Sequence, residues 1–363
     1  MADQNSSLLK MKQPANQPGR FIFIDGLRGL AALMVAIHHF CGHRIFDPFR
    51  QLNLFSETLD GMTRYGGIGV AVFFVISGFV ITHSVSHHWV TGKYFLNFAL
   101  RRSIRLDPPF WVTIALACAL TYFGQKLIPN YDHSLPSIKN VLAHIAYIYP
   151  LLGFDPIVPV FWTLVHEVQF YVLFVFLFGI VQRFSRSVNP SEFAIICVFG
   201  FSGAVSSLIQ VDIDGLCVET WYMFCLGVFA YWWHQKTIST ATLVTFLTIV
   251  VASTSLEITN YKVTALVTAG SLILASRLSG MSSWFKNYCI QYLGAISYSF
   301  YLLHGIIGYR VLSVGERFTQ STLPMALFWF VLAMAVSIFS AAMMRRWVEA
   351  PSIQLAKRLK KES

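Results

Sequence analysis

The sequence predicts an all-α integral membrane protein of about ten transmembrane helices with both termini cytoplasmic. The prediction rests on composition, on the placement of charge, and on the continuity of the apolar runs. Of 363 residues, 55% are hydrophobic and only 12% charged, and the mean hydropathy is +0.58. That leaves too little polar residue to cover a water-soluble globule. Charges are absent from 65–92, 108–125, 193–211, 220–235, 237–256, 287–309 and 318–344. Each stretch is near or above the roughly 20 residues that cross a hydrocarbon core of about 30 Å. Adding 26–40, 161–182 and the short 263–276 gives ten spans, and 138–152 remains as a shorter interfacial or re-entrant segment. The runs are continuous, not alternating, so helices are expected in place of a barrel, with each backbone group bonded inside its own segment.

Orientation follows from the basic residues. In a ten-span arrangement that starts inside, 19 of the 27 Lys and Arg fall on the inner side and 8 on the outer, as the positive-inside rule requires. The formal charge of +10 is thereby assigned to topology and anionic lipid, and nucleic acid is not expected as a partner. The first apolar stretch carries Asp25 and Arg28 at its start and lacks a small-residue cleavage site. It reads as a retained helix, not a signal peptide. Six cysteines lie in or at the ends of spans without paired ligand spacing, so no disulfide framework and no metal site are expected. Domain organisation reads as an N-terminal cytoplasmic tail (1–20), one transmembrane domain (21–350) and a basic cytoplasmic tail (351–363) along the inner surface. Oligomeric state, a homo-oligomer included, is left open by the sequence.

Within a bilayer the informative residues are ionisable or polar ones inside spans, because each is costly unless paired or facing water. Arg28 and His39 are 11 residues apart, about three helical turns, and share a face with His39 about 16 Å deeper. Arg28 can snorkel to headgroups and His39 can bond a neighbouring helix, or both can face a cavity. Arg102 and Arg105, at i and i+3, can grip one phosphate or serve as a membrane anchor. Glu167 shares a face with Thr163 and with Tyr171, one turn to either side, and a carboxylate there needs a partner or water. Ser297, Tyr301 and His304 lie on a common face of the ninth span, as glue between helices or as part of a site.

Read in order, these pieces resemble the acyltransferase 3 family of bacterial integral-membrane O-acyltransferases. The resemblance is carried by Asp25-Gly26-Leu27-Arg28-Gly29-Leu30 with its later histidine, Phe73-Phe74-Val75-Ile76-Ser77-Gly78-Phe79, and Arg102-Ser103-Ile104-Arg105 before a proline. It continues through Trp162-Thr163-Leu164 with Glu167 and Tyr171, Ile296-Ser297-Tyr298-Ser299 with Tyr301 and His304, and Glu349-Ala350-Pro351. It implies ten helices in the bacterial cytoplasmic (inner) membrane, a cytoplasmic acyl-CoA co-substrate, usually acetyl-CoA, and no bound cofactor. The implied acceptor is a carbohydrate hydroxyl of a surface or secreted polysaccharide or similar molecule. Residue by residue, it implies catalytic roles for His39 and Glu167 and a CoA-binding role for Arg102 and Arg105. Arg28, Tyr171, Ser297, Tyr301 and His304 join them as candidate substrate-binding residues. Two departures stand out: Gly69-Val70-Ala71 where the family often has Gly-Val-Asp, and Asp107 where a tyrosine usually precedes the proline. No esterase-like domain follows residue 351, so a second step at the outer face is expected to fall to another protein.

The mechanism expected from this pattern has His39 taking the proton of an acceptor hydroxyl as its oxygen attacks the thioester, with a covalent acyl-histidine as a variant. Glu167 is expected to meet the His39 imidazole in a water-poor cavity and either orient it or stabilise its charged form. The rival class is a multi-pass transporter or flippase using the same ionisable groups. Such proteins usually carry repeated halves with broken helices, and no such symmetry is visible here. An inactive relative acting as a scaffold or sensor is a third reading, kept open by Ala71.

Overall fold

The computed structural model describes residues 21–49, 61, 66–128, 134–209, 211, 213–256, 258–320 and 322–361. The N-terminal tail (1–20), Arg50 and Arg64, used above for orientation, lie outside the described residues. Among the described residues every regular element is helical. The helices are α1 (Ile22–Cys41), α2 (Gly69–Val85), α3 (Gly92–Leu127), α4 (Ile138–Ile145), α5 (Phe161–Ser185) and α6 (Glu192–Ile209). They continue with α7 (Trp221–His234), α8 (Thr240–Leu256), α9 (Asn260–Arg277), α10 (Tyr288–Leu303), α11 (Tyr309–Phe318), α12 (Leu323–Met344) and α13 (Ala350–Lys361).

All ten apolar stretches read from the sequence fall on helices. Among the described residues five helices are long and apolar enough to cross a membrane by themselves: α1, α3, α5, α6, and the unbroken run from Leu323 through Leu359. The number of crossings and the side of each terminus stay as expectations. α3 is longer than its expected span because the helix starts at Gly92, where the Thr91 hydroxyl accepts from the Tyr94 amide at 3.1 Å, and runs through the basic stretch. Pro108 and Pro109 sit inside it, depriving the Ile104 and Arg105 carbonyls of their usual helical donors. The last helix does not stop at residue 350: α12 passes through a π-turn, Arg345–Glu349, into α13, which packs on α3. Segment 138–152, left over from the span assignment, is the eight-residue α4 followed by a short 3-10 turn.

Small residues set the helix spacing, as expected where lipid is no worse a neighbour than leucine and close packing must do the work. α2 crosses α7 at Gly78 and Gly227. A β-carbon on either would strike backbone, the Phe224 carbonyl from Gly78 and the Val75 carbonyl from Gly227. α1 meets α10 in the same way at Gly29 and Gly294. A buried aromatic layer, with Phe170 stacked on Phe224 at 4.1 Å, fills the interior between α5 and α7. These two tight crossings leave α1, α2, α3, α5 and α10 around a common cavity.

Candidate active site

The cavity is bordered by Arg28 from α1, Ser77 from α2, Arg102 and Arg105 from α3, Thr163, Glu167 and Tyr171 from α5, and Tyr298 and Tyr301 from α10. Six of the nine candidate residues named from sequence therefore share one chamber: Arg28, Arg102, Arg105, Glu167, Tyr171 and Tyr301. Three guanidinium groups face one carboxylate, so the chamber is cationic and suits an anion with several oxygens. The Arg102 guanidinium lies 4.8 Å from the centre of the Tyr171 ring and 5.5 Å from that of Phe98, a stacking that fixes the planar fork. Tyr171 is in turn held by Glu167, whose Oε1 accepts from the Tyr171 hydroxyl and from Ser77 Oγ at 2.8 Å. Across the chamber the Thr163 and Tyr301 hydroxyls bond each other at 2.9 Å, and the Tyr298 hydroxyl donates to the Leu106 carbonyl at 2.8 Å.

His39 and His304 are not among the residues bordering this cavity. They form a pair of their own, with Nδ1 of His39 2.8 Å from Nε2 of His304 and the rings stacked at 5.1 Å. Tyr301 joins the pair to the chamber, its ring centre 5.8 Å from that of His304 and its hydroxyl on the cavity side. His304 opens a π-turn, His304–Gly308, a local widening that is common at functional sites. Its Nδ1 lies 3.2 Å from the Phe300 carbonyl, which can only accept, so Nδ1 carries the proton. With both rings uncharged, His304 Nε2 then holds a lone pair, and His39 Nδ1 must be the donor of the bond between them. The remaining nitrogen of His39, Nε2, is left with its lone pair free for base chemistry.

The structure thus separates two residues that the sequence reading had put together. The His39 imidazole is hydrogen-bonded by His304, and the Glu167 carboxylate is engaged by Ser77 and Tyr171. Ser297 does not border the chamber either: its hydroxyl is turned onto its own helix, donating to the Gly294 carbonyl at 2.9 Å. Residues passed over in the sequence supply contacts instead. Ser77 stands in the quoted Phe-Phe-Val-Ile-Ser-Gly-Phe stretch but gains its meaning only once α2 lies against α5. Glu349, in the last quoted motif, is buried and accepts from Ser299 at 2.6 Å and from Arg345 at 2.8 Å, tying the C-terminal helix to α10.

Fold and site together define a multi-pass helical membrane protein with a cationic internal chamber beside a hydrogen-bonded pair of imidazoles. The chain belongs to the acyltransferase 3 family, whose profile, described as an acyltransferase domain, matches residues 21–344. It is 23% identical over 382 aligned positions to the O-acetyltransferase OatA of Staphylococcus aureus, an alignment covering 95% of this chain and 58% of that relative. It is 24% identical over 371 positions to the acyltransferase MdmB of Streptomyces mycarofaciens, covering 92% of this chain and 91% of the other. A third relative, nodulation protein 10 of Rhizobium leguminosarum bv. viciae, is 26% identical over 234 positions, 58% of this chain and 60% of that one. The chain spans little more than half the length of the Staphylococcus relative. No solved structure matches it.

Proposed function

We propose that the chain transfers an acyl group, acetyl in the first instance, from cytoplasmic acyl-CoA to a hydroxyl of a carbohydrate-type acceptor, in a bacterial cytoplasmic membrane. The observation that carries the reading is the polarity of the His39–His304 bond, which leaves a lone pair on His39 Nε2 one tyrosine away from a chamber of three arginines. Arg28, Arg102 and Arg105 hold the phosphates of CoA, and the thin pantetheine arm extends past Tyr301 toward the histidine pair. His39 Nε2 takes the acceptor's hydroxyl proton while its oxygen bonds to the thioester carbonyl carbon. The carbon–sulfur bond then breaks, and the imidazolium returns its proton to the departing sulfur, so that CoA leaves as the free thiol. His304 is a positioning residue that fixes the tautomer. Glu167 acts through Tyr171, whose ring carries the Arg102 guanidinium. The names of the relatives, O-acetyltransferase and acyltransferase, support the reaction class.

The test is radiolabelled acetyl-CoA added to inside-out vesicles holding the chain. Covalent label is expected on glycan, and His39→Ala is expected to abolish it with expression and membrane insertion unchanged. Uptake of label without modification would make the chain a carrier, and full labelling by His39→Ala would end the proposal.

A further inference from the structure

Glu167 enters the arginine chamber with only one of its two carboxylate oxygens engaged. Oε1 accepts from the Tyr171 hydroxyl and from Ser77 Oγ at 2.8 Å. Oε2 has no hydrogen-bond partner among the described residues. Nor is it sealed into the packing: among the described residues, the side-chain atoms that are both buried and unpaired lie on His38, Asn140, Tyr149, Trp232 and Ser337. Glu167 is partly buried and borders the chamber, so the open oxygen is presented to that space.

The opposite charges around the chamber do not meet. Arg28, Arg102 and Arg105 border it together with Glu167, yet among the described residues no ion pair joins any of them to that carboxylate. Inside a protein such charges attract strongly, and side chains free to swing would pair. The frame prevents it. The Arg102 guanidinium lies on the Tyr171 ring at 4.8 Å and the hydroxyl of the same ring grips Glu167, so the width of one phenol stands between cation and anion. A chamber with its poles held apart is satisfied by one molecule that carries an anion and, a few bonds away, a hydrogen-bond donor.

The donor assigned to this chamber has that form. Along coenzyme A the diphosphate is followed by the pantoyl hydroxyl, and only then by the amides and the thiol. That hydroxyl is the first hydrogen-bond donor met on the arm beyond the phosphates. An ionised carboxylate accepts and never donates, and it holds a hydroxyl proton about twice as strongly as a neutral oxygen does. An uncharged carbohydrate also offers hydroxyls, but it leaves three arginines with nothing to hold.

We infer that Glu167 determines specificity for the donor: its Oε2 accepts the pantoyl hydroxyl of coenzyme A while the arginines hold the phosphates, fixing the arm at two points before it passes Tyr301. The inference deepens the acyltransferase reading and rests on it. It gives Glu167 a contact with substrate in addition to its hold on Tyr171. His39 remains the base, because the carboxylate binds the donor and takes no proton in the reaction.

The experiment measures binding, not turnover, by the full chain in lipid nanodiscs. It uses two labelled probes, acetyl-CoA and its analogue with hydrogen in place of the pantoyl hydroxyl. Wild type is expected to bind the deoxy analogue about tenfold more weakly, or worse. In Glu167→Ala that ratio is expected to fall to within about twofold, because the partner of the hydroxyl is gone. Glu167→Gln, which keeps the shape but not the charge, is expected to narrow it by about threefold or more. Ser77→Ala removes a donor to Oε1 and leaves Oε2 in place, so it is expected to keep most of the ratio. Equal affinity of wild type for the two probes overturns the inference. So does a ratio that survives unchanged in either Glu167 substitution, or one lost as fully in Ser77→Ala, which would trace the effect to the shape of the chamber. A wild type that binds neither probe refutes the acyl-CoA reading itself, and the assignment of Glu167 falls with it.

Discussion

Replacing His304 by Phe keeps the ring and removes the Nε2 lone pair that receives the His39 Nδ1 proton across 2.8 Å. The pair is held among packed side chains, and no other hydrogen-bond partner of His39 Nδ1 is present among the described residues. A buried donor that loses its acceptor costs about 1–3 kcal/mol, and at about 1.4 kcal/mol per tenfold a loss of that size in the transition state lowers kcat about 5- to 150-fold. Removing the base itself, in His39→Ala, forfeits the larger factor of about 10² to 10⁴ that general base catalysis contributes. The two substitutions are therefore expected to separate in magnitude. They should also act on one unit, so that the double variant is no slower than His39→Ala alone. The assay is the initial rate of acetyl transfer by purified protein at saturating acetyl-CoA, with binding of labelled acetyl-CoA measured alongside. Wild-type kcat in His304→Phe, or a loss confined to acetyl-CoA binding, would refute the assignment of His304 as the residue that sets the His39 tautomer.

Arg102→Gln and Arg105→Gln should each raise the KM for acyl-CoA about tenfold or more with a smaller change in kcat, because a charge-assisted hydrogen bond contributes about 1.5–3 kcal/mol; saturation curves for the donor check this. Gly227→Val forces a side chain against the Val75 carbonyl, which cannot yield without bending α2, and should destabilise the protein by about 1–3 kcal/mol or more, visible as a lower unfolding temperature in detergent. Cysteines introduced by Arg44→Cys and Lys236→Cys should differ in labelling by a membrane-impermeant maleimide applied to intact cells, the first reacting and the second not. Equal labelling would overturn the orientation read from the basic residues.

Helix positions were legible because an apolar run free of charge is both the membrane signal and the helix signal. Their lengths were less so. The charge-free stretch 220–235 includes residues outside the 14-residue α7, and the basic stretch before Pro108 hid the first half of α3, since a helix that carries arginines into a cavity looks like a loop in a hydropathy reading. The arginine chamber was largely visible, because Arg102 with Arg105 and Glu167 with Tyr171 lie one turn apart on a single helix, where spacing alone decides who shares a face. The histidine pair was not. His39 and His304 are 265 residues apart, on helices whose adjacency is set by Gly29 against Gly294, and no periodicity within one helix says which other helix will be its neighbour. The same ignorance led to the expected meeting of His39 with Glu167.

The glycine crossing of α1 and α10 makes the histidine pair sensitive to events far from it. Gly29 against Gly294 brings α1, which carries His39, to α10, which leads into His304, with backbone against backbone and no slack between them. A wedge of one methyl group at that crossing lengthens the 2.8 Å bond between the rings beyond hydrogen-bonding reach, so that the pair comes apart while each helix stays whole.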